Sequence, residues 1–292
     1  MKLLFTIPHF FDGRRSSDDV KPGKYGSETE TIANRLDSLC RAVYSLHQTF
    51  GASQAMIRHA DRRTESANAN TKNEVHIVIV INRDAHLKSE ANFGESICQW
   101  VSVDDNPMHL GFHCHNVLRD RWGNYDYYGY LEDDLILHDA WLFEKLRWFN
   151  GHVGDHKVLL PNRFERSNDL AYKKCYLDGD LAERVASSFQ DHTVEPELSS
   201  TVMGKAIRFV RPRNPHSGCF FLNANQMKSW VRQDDFGRPA SDFVGPLESA
   251  ASLGVMKAFQ VYKPAVENAN FLEVEHAGTR FLNLVRMPKS DP

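Results

Sequence analysis

The run EVHIVIVIN, Glu74–Asn82, constrains this chain more than any other stretch. It is short, rich in β-branched residues and almost continuously apolar, so an extended strand built from it has no polar face to offer water. Such a strand fits burial on both faces, as in a parallel sheet covered by helices.

The flanking pattern agrees. KLLFTIPHF near the start reads as a buried first strand, followed by a polar, Gly-containing loop over 11–31. SETE (Ser27–Glu30) has capping-box spacing, and Ile32, Leu36, Leu39, Val43, Leu46 and Phe50 recur at steps of three and four up to Gly51. That spacing predicts an amphipathic helix with a C-terminal stop. DRRTESANANTKN (61–73) reads as a mobile polar excursion, MHLGFHCHNVLRDRWG as a helix and YDYYGYL as a third strand. Strands alternating with helices imply an α/β fold of Rossmann type: one mixed, mostly parallel sheet flanked by helices, with the ligand at the carboxyl ends of the strands.

Further on, DAWLFEKLRWF is a short helix with Asp139 as its N-cap, KVLLPNRFE a strand and 166–205 a polar insertion. HSGCFFLNANQMKSWV reads as strand then helix, GPLESAASLGVM as a helix starting near Pro246, and the rest as extended and loop segments. No repeat and no flexible linker divides the chain. The expectation is a single domain over 1–292, with a donor half (1–150) and an acceptor half (151–292).

Composition matters mainly for what it excludes. A net charge of −3 and a pI near 6.5 provide no overall basic field, which argues against nucleic acid or an anionic membrane as the main partner. Five scattered cysteines without CxxC spacing suit reduced thiols in a cytoplasmic protein. The apolar start ends at Pro8, too short for a signal peptide, and no stretch approaches the roughly 20 apolar residues of a transmembrane segment.

Directly after YDYYGYL come Glu132, Asp133 and Asp134. Three acids at the edge of a core repel one another unless something positive sits between them. Alternation along an extended chain puts Glu132 and Asp134 on one face and Asp133 on the other. In the ligand crevice their hard oxygens suit Mn²⁺ or Mg²⁺, with coordination positions left for a diphosphate. A solvated acidic turn is the plain alternative. FHCHN (Phe112–Asn116, with His113, Cys114 and His115) invites a zinc reading, but no Cys/His pair follows at matching spacing and a helix would turn the two histidines onto different faces.

YLEDDLILHDAWL resembles the DxD region of metal-dependent GT-A glycosyltransferases, in the EDD variant found in N-acetylglucosaminyltransferase I. The resemblance implies a GT-A-like fold and a metal-dependent transfer of sugar from a UDP-linked nucleotide-sugar to a glycan, glycolipid or small acceptor, with inversion favoured over retention. It implies Asp134 as a direct Mn²⁺ or Mg²⁺ ligand, Glu132 and Asp133 acting through ribose or metal-bound water, and His276 completing the metal set with Asp134 and Glu132. Pro8, His9 and Phe10 would hold the base, with Asn82, Arg83 and Asp84 beside them; Arg83 would face phosphate and Asp84 uracil or ribose. A surface salt bridge is the plain alternative for the last two. Glu248, early in its helix, is the implied proton acceptor and Asp242 the second choice, while Gly218 allows backbone approach to a sugar. Two other readings stay open: a metal-dependent nucleotidyl or phosphoryl transferase, and a non-catalytic nucleotide-sugar-binding module.

Overall fold

The computed structural model describes residues 1–12, 31–168 and 172–284. Strand β1 (Lys2–His9) leads to helix α1 (Ile32–Phe50), whose N-cap is Thr31: its hydroxyl accepts from the Asn34 N–H at 3.3 Å. The expected capping box at Ser27–Glu30 lies outside the described residues. The buried stripe of α1 is Arg35, Leu39, Val43, Leu46 and Phe50. A charged residue therefore takes the place expected for Leu36 or Ile32. The exposed hairpin of β2 (Ala55–Arg58) and β3 (Arg63–Ser66) orders part of the stretch read as an excursion. After it come β4 (Glu74–Asn82), the one-turn α2 (Lys88–Ala91), β5 (Gln99–Val103), α3 (Leu110–Asp120) and β6 (Tyr127–Leu131).

The remaining elements are β7 (Leu135–Ile136), α4 (Leu142–Val153), β8 (Lys157–Leu159), β9 (Asn162–Arg166), β10 (Lys174–Tyr176), β11 (Glu197–Val202), β12 (Lys205–Val210) and β13 (Cys219–Asn223). Helices α5 (Ala224–Val231) and α6 (Pro246–Ala258) and strands β14 (Gln260–Pro264) and β15 (Glu273–His276) complete the order. Three sequence expectations need correction. Asp139 does not cap α4, which begins at Leu142; its carboxylate instead accepts from the Trp141 N–H in the preceding turn. KVLLPNRFE breaks at Leu160–Pro161 into β8 and β9, which join different sheets, because Pro161 has no N–H to continue a ladder. The polar insertion contains strands β10 and β11.

The main sheet runs β13-β6-β1-β4-β5, with β6, β1, β4 and β5 parallel and β13 antiparallel to β6. EVHIVIVIN, as β4, has a parallel neighbour on each side, as expected of it, and the sheet as a whole is mixed because β13 runs antiparallel. Leu3, Phe5, Ile7, Ile77, Ile79 and Ile81 pack toward α1 and α4, and Leu4, Val78, Val80, Tyr128 and Tyr130 toward α3, α5 and α6. Each such side chain contributes about 1.5–3 kcal/mol on full burial. Gly129 sits where the rings of Phe5 and Phe221 meet over β6; a Cβ there would lie 2.7 Å from the Phe5 ring. β13, from the second half of the chain, completes the first sheet, so position 150 does not mark a boundary between sheets.

Two four-stranded sheets, β10-β9-β15-β7 and β11-β12-β14-β8, flank this core. Strand order reverses at β1, with β4 and β5 on one side and β6 on the other. The crevice beyond the carboxyl ends of β1 and β6 is therefore the switch point at which open α/β sheets bind ligands. Among the described residues, no helix is long and apolar enough to cross a membrane.

Candidate functional site

The triplet begins where β6 ends. The Glu132 N–H donates to the Gly218 carbonyl at 2.9 Å and the Leu135 N–H to the Glu132 carbonyl at 3.2 Å, turning the chain out of the sheet. Gly218 has φ +62°, and a Cβ on it would fall 2.5 Å from Glu132 Oε2. Both the left-handed backbone and the close approach require glycine there. That approach is to Glu132, whereas the sequence reading placed a sugar against it.

The three carboxylates point to different partners. Asp133 turns inward, 4% exposed: Oδ2 lies 2.5 Å from His9 Nδ1, and Oδ1 accepts from the Arg35 guanidinium. His9 Nε2 accepts from the Leu87 N–H at 3.1 Å, so the imidazole proton sits on Nδ1 and is donated to Asp133. Burial alone would raise the Asp133 pKa; Arg35 and His9 hold it below the usual value instead. His9 and Asp133 thus depart from the base-binding and ribose-binding places expected of them, because their polar atoms are engaged with each other and with the interior.

Asp134 stays at the surface of the crevice. Its Oδ2 lies 3.7 Å from Arg35 and 3.5 Å from His276 Nε2, and its buried Oδ1 has no hydrogen-bond partner among the described residues. His276 arrives through strand pairing: β15 lies antiparallel to β7 with His276 opposite Leu135, and the Ala277 N–H donates to the Asp134 carbonyl at 2.8 Å. His276 Nδ1 donates to Glu165 at 3.0 Å, and the fully buried Glu165 also accepts from the Phe281 and Leu282 N–H groups. Burial lowers the His276 pKa, but Asp134 and Glu165 outweigh it and the net direction is up. The neighbouring Glu275 points away and is held by Arg41, His138 and Arg166, fastening β15 from its other face.

Glu132 is the least satisfied of the three. Its nearest basic groups are the neutral imidazole of His216, with Nε2 at 3.7 Å, and the Arg163 guanidinium at 4.0 Å. Burial first, then Asp134 and Glu248, push its pKa up to about 7 against the opposing pull of Arg163 and His276. Arg163 is gripped by Asp178, which also binds Lys263; the Lys263 ammonium donates to the His216 carbonyl at 2.6 Å. Burial, then Arg163, pushes the His216 pKa well below its usual value.

The positive partners of the acidic corner thus include Arg35, Arg163 and Lys263, none of them anticipated from the sequence. The signal for Arg35 was there: a guanidinium within the apolar stripe of α1. For Arg163, Asp178, Glu165, His216 and Lys263 no local signal exists. Glu132, Asp133, Asp134, Glu165 and Asp178 are five carboxyl groups against three basic side chains, so carboxyl groups outnumber them by two before His276 is counted, and the raised pKa of Glu132 is the response of one carboxyl to burial and that excess.

Among the described residues, no three His, Cys, Asp or Glu side chains already converge at metal-holding spacing. Asp134 and His276 nevertheless fit a hard divalent ion. One carboxylate oxygen has no hydrogen-bond partner among the described residues, the imidazole is fixed through its far nitrogen, and such ions commonly take one or two carboxylates and complete their shell with water and substrate phosphate.

Glu248 stands in the first turn of α6, half-buried, and its charge reaches Glu132. Gly245, the N-cap, leaves room for it: a Cβ there would lie 2.9 Å from Glu248 Oε2. The preceding turn is strained. Val244 has φ +61° and is spanned by a bond from the Gly245 N–H to the Phe243 carbonyl at 2.7 Å, a left-handed γ-turn pinned by the Ser249 hydroxyl. Asp242, the second choice as base, is exposed on that loop.

Pro8 and Phe10 are half-buried beside the crevice. At the end of β4, Asn82 donates to the Asp105 carbonyl at 2.7 Å, Arg83 pairs with Asp104 at 3.2 Å on the surface, and Asp84 is exposed. His113 binds Asp105 while His115 binds the Ala250 carbonyl, so the two histidines do face apart.

A scan against protein-family models finds no match, and no curated protein matches. Solved structures similar to the chain include S. aureus TarS (11% identity, TM-score 0.46, covering 96% of this chain and 37% of that one). S. aureus TarS 1–349 in complex with UDP is also similar (11%, 0.46, 94% and 60%), as is TarS 1–349 alone (11%, 0.46, 97% and 62%). The chain thus spans about a third of TarS, and a likeness of that depth assigns neither site nor substrate.

Proposed function

We propose that this chain is a metal-dependent glycosyltransferase of GT-A type. On this reading it moves a sugar from a UDP-linked nucleotide-sugar to a glycan, glycolipid or small acceptor with inversion. The observation that supports the reading is the meeting of Asp134 and His276 at the sheet's switch point, with a carboxylate oxygen unpartnered among the described residues and the imidazole oriented by Glu165. Asp134 and His276, with Glu132 nearby, would hold Mn²⁺ or Mg²⁺. Bound there, the cation supplies charge stabilisation to the departing nucleoside diphosphate.

The chain's own residues do the rest. Glu248 accepts the proton of the acceptor hydroxyl as that oxygen bonds to the anomeric carbon and the carbon–oxygen bond to the diphosphate breaks. Arg35 and Arg163 supply fixed positive charge near the diphosphate, and Asp133, locked by His9, holds Arg35 in place. Pro8, Phe10, Asn82, Arg83 and Asp84 line the side where the base would lie, and Asp242 remains the alternative proton acceptor.

Hydrolysis of a nucleotide-sugar panel with Mn²⁺ tests the reading, since slow transfer to water needs no known acceptor. Turnover of one UDP-sugar, abolished in Asp134→Ala and reduced at least about a hundredfold in Glu248→Gln with UDP binding intact, is expected. Metal-dependent cleavage of nucleoside triphosphates alone would instead favour the phosphoryl-transfer reading. UDP binding without turnover of any sugar in the panel or of any triphosphate would favour a binding module.

A further inference from the structure

Away from the triplet, a cavity of about 200 Å³ opens between α3, α5 and α6 under the loop after α5. Its floor is Phe112, His115, Trp230 and Leu253, all buried, and its rim carries Arg238 and Lys257 against Asp235. Lys257 donates to Asp235 at 2.8 Å, which leaves the exposed Arg238 as the surplus positive charge. The His115 ring lies 4.9 Å from the Trp230 ring and 5.6 Å from that of Phe112. On α6 the lining residues Leu253, Gly254 and Lys257 begin about one and a half turns beyond Glu248, and no residue of the acidic corner lines the cavity, so it is not part of the site described above.

We propose that this cavity binds a small planar aromatic ligand carrying a ring N–H and a carboxylate. The volume is below that of drug-sized sites and suits one or two fused rings. The aromatic floor favours a flat π-face, and Gly254, whose Cβ would meet the Trp230 indole at 2.8 Å, lets α6 come close enough to form the wall. His115 Nε2 donates to the Ala250 carbonyl at 2.9 Å, so Nδ1 presents a lone pair, and no hydrogen bond is made to it among the described residues. Burial lowers the His115 pKa to about 4, which keeps that nitrogen an acceptor. A ligand N–H satisfies it, and the Arg238 guanidinium matches a carboxylate at the mouth.

Isothermal titration with indole-3-acetate tests this, because that probe combines the ring, the N–H and the carboxylate. Saturable one-to-one binding is expected. It should weaken at least about tenfold in Arg238→Glu, which reverses the rim charge, and in Ala240→Phe, which fills the mouth. Both positions are at the rim, and melting curves verify that the variants fold. Arg232→Glu, exposed but outside the lining, should bind as the parent does. Tryptamine, with an ammonium in place of the carboxylate, and 1-methylindole-3-acetate, without the N–H, should each bind at least about tenfold more weakly. Absence of binding, or equal affinity in folded Arg238→Glu and Ala240→Phe, overturns the proposal. Equal affinity for the methylated probe overturns the role given to His115.

Discussion

His9 Nδ1 meets Asp133 Oδ2 at 2.5 Å, joining residues 124 apart in the chain beneath the acidic corner. The pair is buried, and its geometry is locked on the far side by the Leu87 N–H. His9→Ala leaves a buried carboxylate with Arg35 as its remaining close partner. A loss of about 3 kcal/mol is expected, read from urea denaturation, because removing one member of a buried pair strands the other. His9→Asn, which can still offer an N–H, should lose less.

The raised Glu132 carboxyl has a consequence for stability. A group that binds its proton more tightly when folded adds stability that is full below its unfolded pKa of about 4.5 and is lost as pH rises through about 7. In chelator, thermal unfolding between pH 5 and 7.5 should therefore show a decline that Glu132→Gln flattens. Asp133 acts in the opposite sense, since its lowered pKa adds stability that disappears as pH falls below the carboxylate range. An unchanged slope in Glu132→Gln would mean that burial and the Asp134 charge do not raise the Glu132 carboxyl.

His276 and Glu165 should behave as a unit toward Mn²⁺. Replacing the proposed ligand, His276→Ala, is expected to weaken Mn²⁺ binding more than Glu165→Gln does, and the latter by about tenfold or more, since the buried carboxylate orients the imidazole. Electron paramagnetic resonance of free Mn²⁺ measures both affinities directly. Equal affinity in all three proteins would remove His276 from the metal set.

Val244 carries strain that glycine would not. With φ +61° at a β-branched residue, Val244→Gly should raise stability by about 1 kcal/mol, measured by chemical denaturation, even though glycine usually destabilises. Its side chain is largely exposed, so little packing is lost.

The sheet was legible because its evidence is local. EVHIVIVIN needs cover on both faces wherever it sits, and Gly129 and Gly218 occur where rings or a carboxylate come too close for a side chain. The halves of KVLLPNRFE were not legible as separate strands: continuous apolarity does not say which neighbour each piece will pair with, and only Pro161 hinted at the break. Asp139 misled for a related reason, since a capping residue near a helix start can serve the preceding turn instead.

By itself the sequence determined the parallel core, the place where three acids leave it, and the need for positive charge there, because strand pattern and charge are carried by neighbouring residues. Which groups answer that need was decided only in three dimensions. Arg35 comes from α1, Arg163 from β9, Lys263 from β14 and His276 from β15. Electrostatic attraction acts through space, and no periodicity along the chain records which distant residues folding will bring together.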